Sequence, residues 1–190
     1  TQRKAGKSVA WAIAYASQKT NGESDTFANT FADHREAQRK AGKSHAWADA
    51  YATWKAYGES DAWATTASEH CEAQCKTGKS SIWAHAYGAA KAEKKSDAFA
   101  TTCAGTYEAQ RKVGKSVEWA YAYSSAIAEG YDDTLATTCA GHYEERSEPG
   151  KLLRGWVYTY AKERASGKDK EAAERVADTT ERKRPEERGV

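Results

Sequence analysis

The run GKSHAWADAYATWKAYGESDAWATTASEHCEAQCKTG, residues 42–78, decides the fold. Ser44 is placed to cap a helix N-terminus, where its hydroxyl accepts from an orphan backbone N–H. Trp47, Ala50, Tyr51 and Trp54 follow at i, i+3, i+4 and i+7, one face of a helix, with Ala48 and Ala52 as a second stripe of small residues beside it. Gly58 stops that helix. Ser60-Asp61 opens another, with Ala64, Ala67 and Ser68 on its inner side, and Gly78 ends it in the left-handed position that glycine favours. The stretch therefore predicts two helices joined by a tight turn.

Outward from this hairpin the same pattern recurs every 36 residues. Gly6, Gly42, Gly78, Gly114 and Gly150 keep that spacing, as do Lys7, Lys43, Lys79, Lys115 and Lys151. Ser8, Ser44, Ser80 and Ser116 come next, then Trp11, Trp47, Trp83 and Trp119, each followed four residues later by Tyr15, Tyr51, Tyr87 and Tyr123. Asp25, Asp61, Asp97, Asp133 and Asp169 hold the register, as do Ala28, Ala64, Ala100, Ala136 and Ala172. The expected class is all-α, an α-solenoid of antiparallel helix hairpins, since a repeated unit that cannot bury its faces alone must stack on its neighbours. The organisation reads as the end of a preceding helix over 1–5, repeats over 6–41, 42–77, 78–113 and 114–149, a degenerate capping repeat over 150–181, and a charged tail over 182–190. In the fifth repeat Gly155 falls in the Trp column, with Trp156 displaced by one, and Lys162, Glu163, Arg164, Glu171, Glu174 and Arg175 replace small or apolar residues, which reads as a polar cap.

Composition agrees. The 190 residues include only three Leu, three Ile, six Val and three Phe, with seven Trp and eleven Tyr. Such a chain has no material for an aliphatic core, a β-sandwich or a membrane span. Its abundant alanine and aromatic rings suit close-packed helices. Lys and Arg total 29 against 27 Asp and Glu, a formal charge of +2, so no nucleic-acid partner is expected.

The Trp11-to-Tyr15 spacing and the Phe27-Ala28 pair resemble the small/aromatic alternation of the tetratricopeptide class of helical-hairpin repeats. The resemblance spans nearly the whole chain. The period is longer than that family's roughly 34 residues, and its helix-ending proline is absent. What the likeness implies is a solenoid that binds partners rather than catalyses, with no residue-level function carried over.

Charge is sorted by turn. One edge collects Lys7, Arg39, Lys40, Lys43, Lys79, Arg111, Lys112 and Lys115, with Arg3, Lys4 and Lys76 beside them. The opposite edge collects Glu23, Asp25, Glu59, Asp61, Asp97 and Asp133, with Asp132. Two roles suit this arrangement: side-by-side association of complementary edges, which salt would loosen, or capture of an anion or polyanion by the basic edge and the adjoining helix N-termini. Gly-Lys-Ser recurs four times, but a phosphate-binding P-loop needs a glycine five residues earlier and a preceding strand. Ala37, Ala73 and Ala109 stand there instead, after helices. The Trp and Tyr columns raise a third role, carriage of a planar ligand, with Trp54 and Trp63 as the local departures from the pattern.

Of Cys71, Cys75, Cys103 and Cys139, two readings stay open: Cys71 and Cys103, on neighbouring helices one turn apart, as a disulfide pair, or all as free, buried thiols in a reducing compartment. His34, His70 and His142 share a column too widely stepped to hold one ion. No grouping supports acid–base catalysis, so no enzyme, metal or cofactor is expected. Thr1–Ala5 match the end of a second helix, so the chain is expected to start in mid-unit, either with residues missing upstream or as a processed piece of a longer array; an uncapped end would stack on another copy or another protein. Four cysteines and a start without Met point to an extracellular setting.

Overall fold

The computed structural model describes residues 6–147 and 155–182, with side chains through Thr180. The segment 1–5 with Arg3 and Lys4, the residues Gly150 and Lys151, and the tail beyond Arg182 lie outside the described residues. Ten helices are described: α1 (Val9–Thr20), α2 (Asp25–Lys40), α3 (His45–Ala56), α4 (Asp61–Lys76), α5 (Ser81–Ala92), α6 (Asp97–Lys112), α7 (Val117–Ala128), α8 (Asp133–Arg146), α9 (Trp156–Ala165) and α10 (Lys170–Arg182). Among the described residues there is no strand. The chain is all-α.

The chain divides between Lys94 and Lys95 into two units, one carrying α1–α5 and the other α6–α10. Within the first, α1 packs on α2, α2 on α3, α3 on α4 and α4 on α5. Within the second, the same neighbour-to-neighbour order runs from α6 to α10. Each is the packing of a helical repeat.

Local chemistry sets the boundaries. Ser8, Ser24, Ser44, Ser60, Ser80, Ser96 and Ser116 each cap a helix by accepting from the backbone N–H three residues on, and Asp132 does the same for α8. The repeat glycine closes α2: Gly42 N–H donates to Arg39 O and Lys43 N–H to Gln38 O, both at 3.1 Å, with Gly42 at φ +83°. Where a glycine is missing after α5, Lys94 takes the left-handed conformation at φ 59°.

Alanine supplies the close core. Ala28, Ala64, Ala100 and Ala136 are wholly buried, as are Ala32, Ala104 and Ala140. α5 approaches α4 so closely at Gly88 that a Cβ there would lie 2.3 Å from Ala67 O.

The fifth repeat corrects the expected register. Trp156, not Gly155, occupies the Trp column: its ring stacks on Tyr160 at 5.3 Å, and its Nε1–H donates to Asp178 at 2.7 Å. Asp169 caps α10 by accepting from Ala172 N–H, which makes it the counterpart of Asp132. Ala173 therefore replaces Ala172 in the buried column. This repeat is stepped by 37 residues rather than 36, and one added residue before Trp156 preserves the same contacts. Two of its charged side chains bond back to the fourth repeat: Lys162 to Glu129 at 2.6 Å and Glu174 to Arg146 at 2.6 Å.

Candidate functional site

Each repeat builds one composite rung from its first helix and the turns at either end. In the first, Lys7 Nζ lies 4.7 Å above the Trp11 ring and 2.7 Å from Asp33. Trp11 Nε1–H donates to the same carboxylate at 2.6 Å. Trp11 stacks on Tyr15 at 5.2 Å, the Tyr15 hydroxyl donates to Asp25 at 2.9 Å, and Lys19 pairs with Asp25 at 3.0 Å. The second repeat repeats the series through Lys43, Trp47, Tyr51, Asp61 and Lys55. Lys79 lies over Trp83 and Lys115 over Trp119, and each Trp stacks on the Tyr four residues on. In the fourth repeat the Tyr123 hydroxyl donates to Asp133. The spacing of one helical turn brings the rings face to face, and they touch each other directly.

The basic edge is thus largely engaged within the chain. Lys40, Lys76 and Lys112 pair with Glu36, Glu72 and Glu108 one turn back. Arg39 and Arg111 donate to the Lys43 and Lys115 carbonyls, closing the C-terminal turns of α2 and α6. On the acidic edge Asp25, Asp61 and Asp133 serve the tyrosines, and the carbonyls of Glu23 and Glu59 accept from Lys19 and Lys55. Asp97 opens α6 behind its cap Ser96.

The helix N-termini proposed as anion sites hold the chain's own carboxylates. Ser116 donates its hydroxyl proton to Glu144, and the Ser8 and Ser44 hydroxyls, which cap α1 and α3, act on Glu36 and Glu72 at the same places. A carboxylate at a helix start is stabilised by the exposed N–H dipoles, and sequence reading missed this column although Glu36, Glu72, Glu108 and Glu144 recur at the repeat period. Between α1 and α2 an open groove of about 320 Å³ is lined by Ser8, Ala10, Arg35, Glu36, Arg39 and Lys40.

These contacts set a pH dependence. The Ser8 and Ser44 hydroxyls hold Glu36 and Glu72 below the usual carboxylate range. Lys19 and then Tyr15 do so for Asp25, Lys55 and then Tyr51 for Asp61. A carboxylate lowered in the folded state contributes stability above its unfolded value and loses it as pH falls through the folded one. Burial and the Asp61 hydrogen bond push Tyr51 up to about 12, and the Asp133 hydrogen bond and burial do the same for Tyr123. A raised phenol contributes below its unfolded value of about 10 and loses that contribution as pH rises toward the folded one. Calorimetric melting temperatures should form a plateau between roughly pH 5 and 10 with a fall on each side, and Asp61→Asn should flatten the acid limb.

The Cys71–Cys103 disulfide is not formed; all four cysteines are free thiols. Cys71 sits in the first unit among Ala50 and Ala84, 3.7 Å from His85 Nδ1. Cys103 sits in the second, 3.5 Å from Ser124 Oγ. Burial pushes the Cys71 thiol up, and Cys139 up to about 12, so both are kept as inert packing groups. His34 and His70 stand edge-on to Tyr51 and Tyr87 of the following repeats. Among the described residues no three His, Cys, Asp or Glu side chains are placed to hold a metal ion. Trp54 is core, packed edge-on against Trp63 at 5.1 Å.

Large apolar side chains are exposed singly at Ile82, Val113 and Leu135, and as a pair on α1. On α1, Val9 is 53% and Ile13 64% exposed, one turn apart, with Ala16 and Thr20 exposed beyond them. In α3 the corresponding positions are His45, Asp49, Ala52 and Ala56. There His45 is exposed as Val9 is, but α2 reaches the positions beyond it: Arg35 pairs with Asp49, and Phe31 and Ala52 share one buried cluster.

Comparison with protein-family models, with curated proteins and with solved structures gives no match in any of the three. No described helix is long and apolar enough to cross a membrane.

Proposed function

We propose that this chain is a non-enzymatic helical-repeat interaction protein, a structural or scaffold component that associates with itself through the exposed apolar face of α1. The observation that carries this reading is Ile13 with Ala16, exposed where their counterparts Asp49 and Ala52 in the next repeat meet Arg35 and Phe31 of the preceding helix. Contiguous exposed apolar surface marks interaction sites. The likeness to tetratricopeptide hairpins, whose members act as partner-binding scaffolds, supports the same reading. The internal pairing of both charged edges moves the weight from charge-complementary contacts, the first expectation, to this apolar end. It also weakens the polyanion alternative, since the helix starts hold Glu36, Glu72 and Glu144. The planar-ligand alternative has the least support, because each Trp stacks directly on its own Tyr.

Sedimentation velocity of the chain over a wide concentration range, at ~0.1 M and ~1 M NaCl, tests this. Apolar end-stacking predicts oligomers that persist at high salt. Dissociation by salt would return the weight to the charged edges, and heparin retention by a monomer would favour polyanion binding. A monomer at every concentration sinks the self-association reading.

A further inference from the structure

The junction of α4 with α5 departs from that of α2 with α3 in three columns at once. The earlier junction holds Arg35 and Arg39 on α2 and Asp49 on α3, with Arg35 paired to Asp49. One repeat on, the same columns hold Cys71 and Cys75 on α4 and His85 on α5. Guanidinium and carboxylate are replaced together, so an ion pair gives way to two thiols and an imidazole.

Cys71 and Cys75 stand one turn apart on α4 and pack against the same small walls, Ala50 of α3 and Ala84 of α5. Gly88 lets α5 approach here, since a Cβ on it would lie 3.3 Å from Cys71 N. His85 Nδ1 is 3.7 Å from Cys71 Sγ and 2.7 Å from Ser81 O. A carbonyl oxygen only accepts, so Nδ1 carries a proton and offers no lone pair. The carboxylates that act on Cys71 are engaged elsewhere, Asp49 with Arg35 and Glu72 with Lys76 at 3.2 Å. Burial, then the neighbouring Cys75, keeps the Cys71 thiol protonated and unreactive on its own.

This spacing suits a metal better than a disulfide. Side chains one turn apart on a helix have Cβ atoms about 5–6 Å apart, whereas a disulfide needs about 3.5–4.5 Å. Two metal–thiolate bonds in line, at ~2.3 Å each, span roughly 4.6 Å between sulfurs and fit without unwinding α4. Zn²⁺ takes four ligands, whereas two soft sulfurs satisfy a soft ion of low coordination number.

We propose that Cys71 and Cys75 form a binding site for a thiophilic, two-coordinate metal ion, Cu(I), held as a bis-thiolate beside the His85 N–H. Two S–Cu bonds form, two S–H bonds break, and two protons pass to solvent for each ion bound, with copper remaining Cu(I) throughout. The bis-thiolate carries one negative charge, which the His85 Nδ1–H faces. Cys75, half-buried, is the point of entry. The site lies within the first unit and is independent of the self-association reading.

Cu(I) titrated into the reduced chain without oxygen, in competition with the coloured chelator bathocuproine disulfonate, should show one ion held per chain and two protons released. Cys71→Ala and Cys75→Ala should each weaken retention by more than about 100-fold, beyond the 10- to 100-fold that loss of an outer contact costs a metal site. Cys103→Ala and Cys139→Ala should leave it unchanged. Cys75→Ala, at a half-buried position, should keep the parent's circular dichroism melt, which separates a lost ligand from lost folding. In the unaltered chain, bound Cu(I) should protect Cys75 from iodoacetamide, a readout that needs no variant. A parent that yields all its copper to the chelator, one ion per two chains, undiminished retention by Cys75→Ala, an equal loss in Cys103→Ala or Cys139→Ala, or displacement by Zn²⁺ overturns the proposal.

Discussion

Replacing Trp11 by alanine should destabilise the first unit by about 3–5 kcal/mol, the usual cost of deleting a large buried ring. Trp11 is wholly buried, packs with Phe27 and Phe31, and stacks on Tyr15. Its removal also takes the indole donor from Asp33 and the ring beneath the Lys7 ammonium. Trp11→Phe keeps most of the packing and loses the hydrogen bond, so about 1 kcal/mol should go. Because helices in this unit pack chiefly on their chain neighbours, the loss should concentrate in α1 and α2. Hydrogen exchange should show their amides unprotected while α4 and α5 stay protected, and urea denaturation should give the magnitude. A Trp11→Ala chain with unchanged midpoint and uniform protection would contradict the rung as a stabilising element.

Two helical glycines should respond to the same substitution with opposite signs. At Gly88 an added Cβ meets the Ala67 carbonyl at 2.3 Å, a main-chain atom that can yield only if α4 and α5 separate. Gly88→Ala should therefore destabilise by about 1–3 kcal/mol, in spite of alanine's better helix propensity. At Gly141, in α8, nothing lies within 4 Å of the same added atom. Gly141→Ala should stabilise by about 0.5–1 kcal/mol through the lost freedom of the unfolded chain. Thermal melts of the two variants settle it. Equal shifts in the same direction would mean that the α4–α5 approach is not as close as Gly88 implies.

Much of the fold was legible because its signals are local. Ser8, Ser24 and their counterparts cap within three residues, and Gly42 ends α2 within the turn it occupies. The rungs were less legible. Trp11 and Asp33 stand 22 residues apart, and so do Trp156 and Asp178; that recurrence was a usable signal, although Glu69, Gly105 and Gly141 interrupt it in the repeats between. In the fifth repeat alignment at 36 residues shows Trp156 displaced by one from the other tryptophans, and only its stacking on Tyr160 makes it their counterpart at a step of 37. Spacing left a Cys71–Cys103 pair and free thiols both open, because it does not say which helix neighbour lies over Cys71; the packed helices hold both as free thiols.

The sequence by itself determined the helices, their ends and their period, since each depends on groups within about one turn of one another. The tertiary structure alone decided which charges are left to meet another molecule. A lysine after a turn glycine reads the same whether it faces water, an indole or a carboxylate from the far side of the hairpin. Only the packed helices bring Asp33 to Lys7, Glu36 to Ser8 and Arg35 to Asp49, and leave Ile13 with no such neighbour from the helices of its own unit.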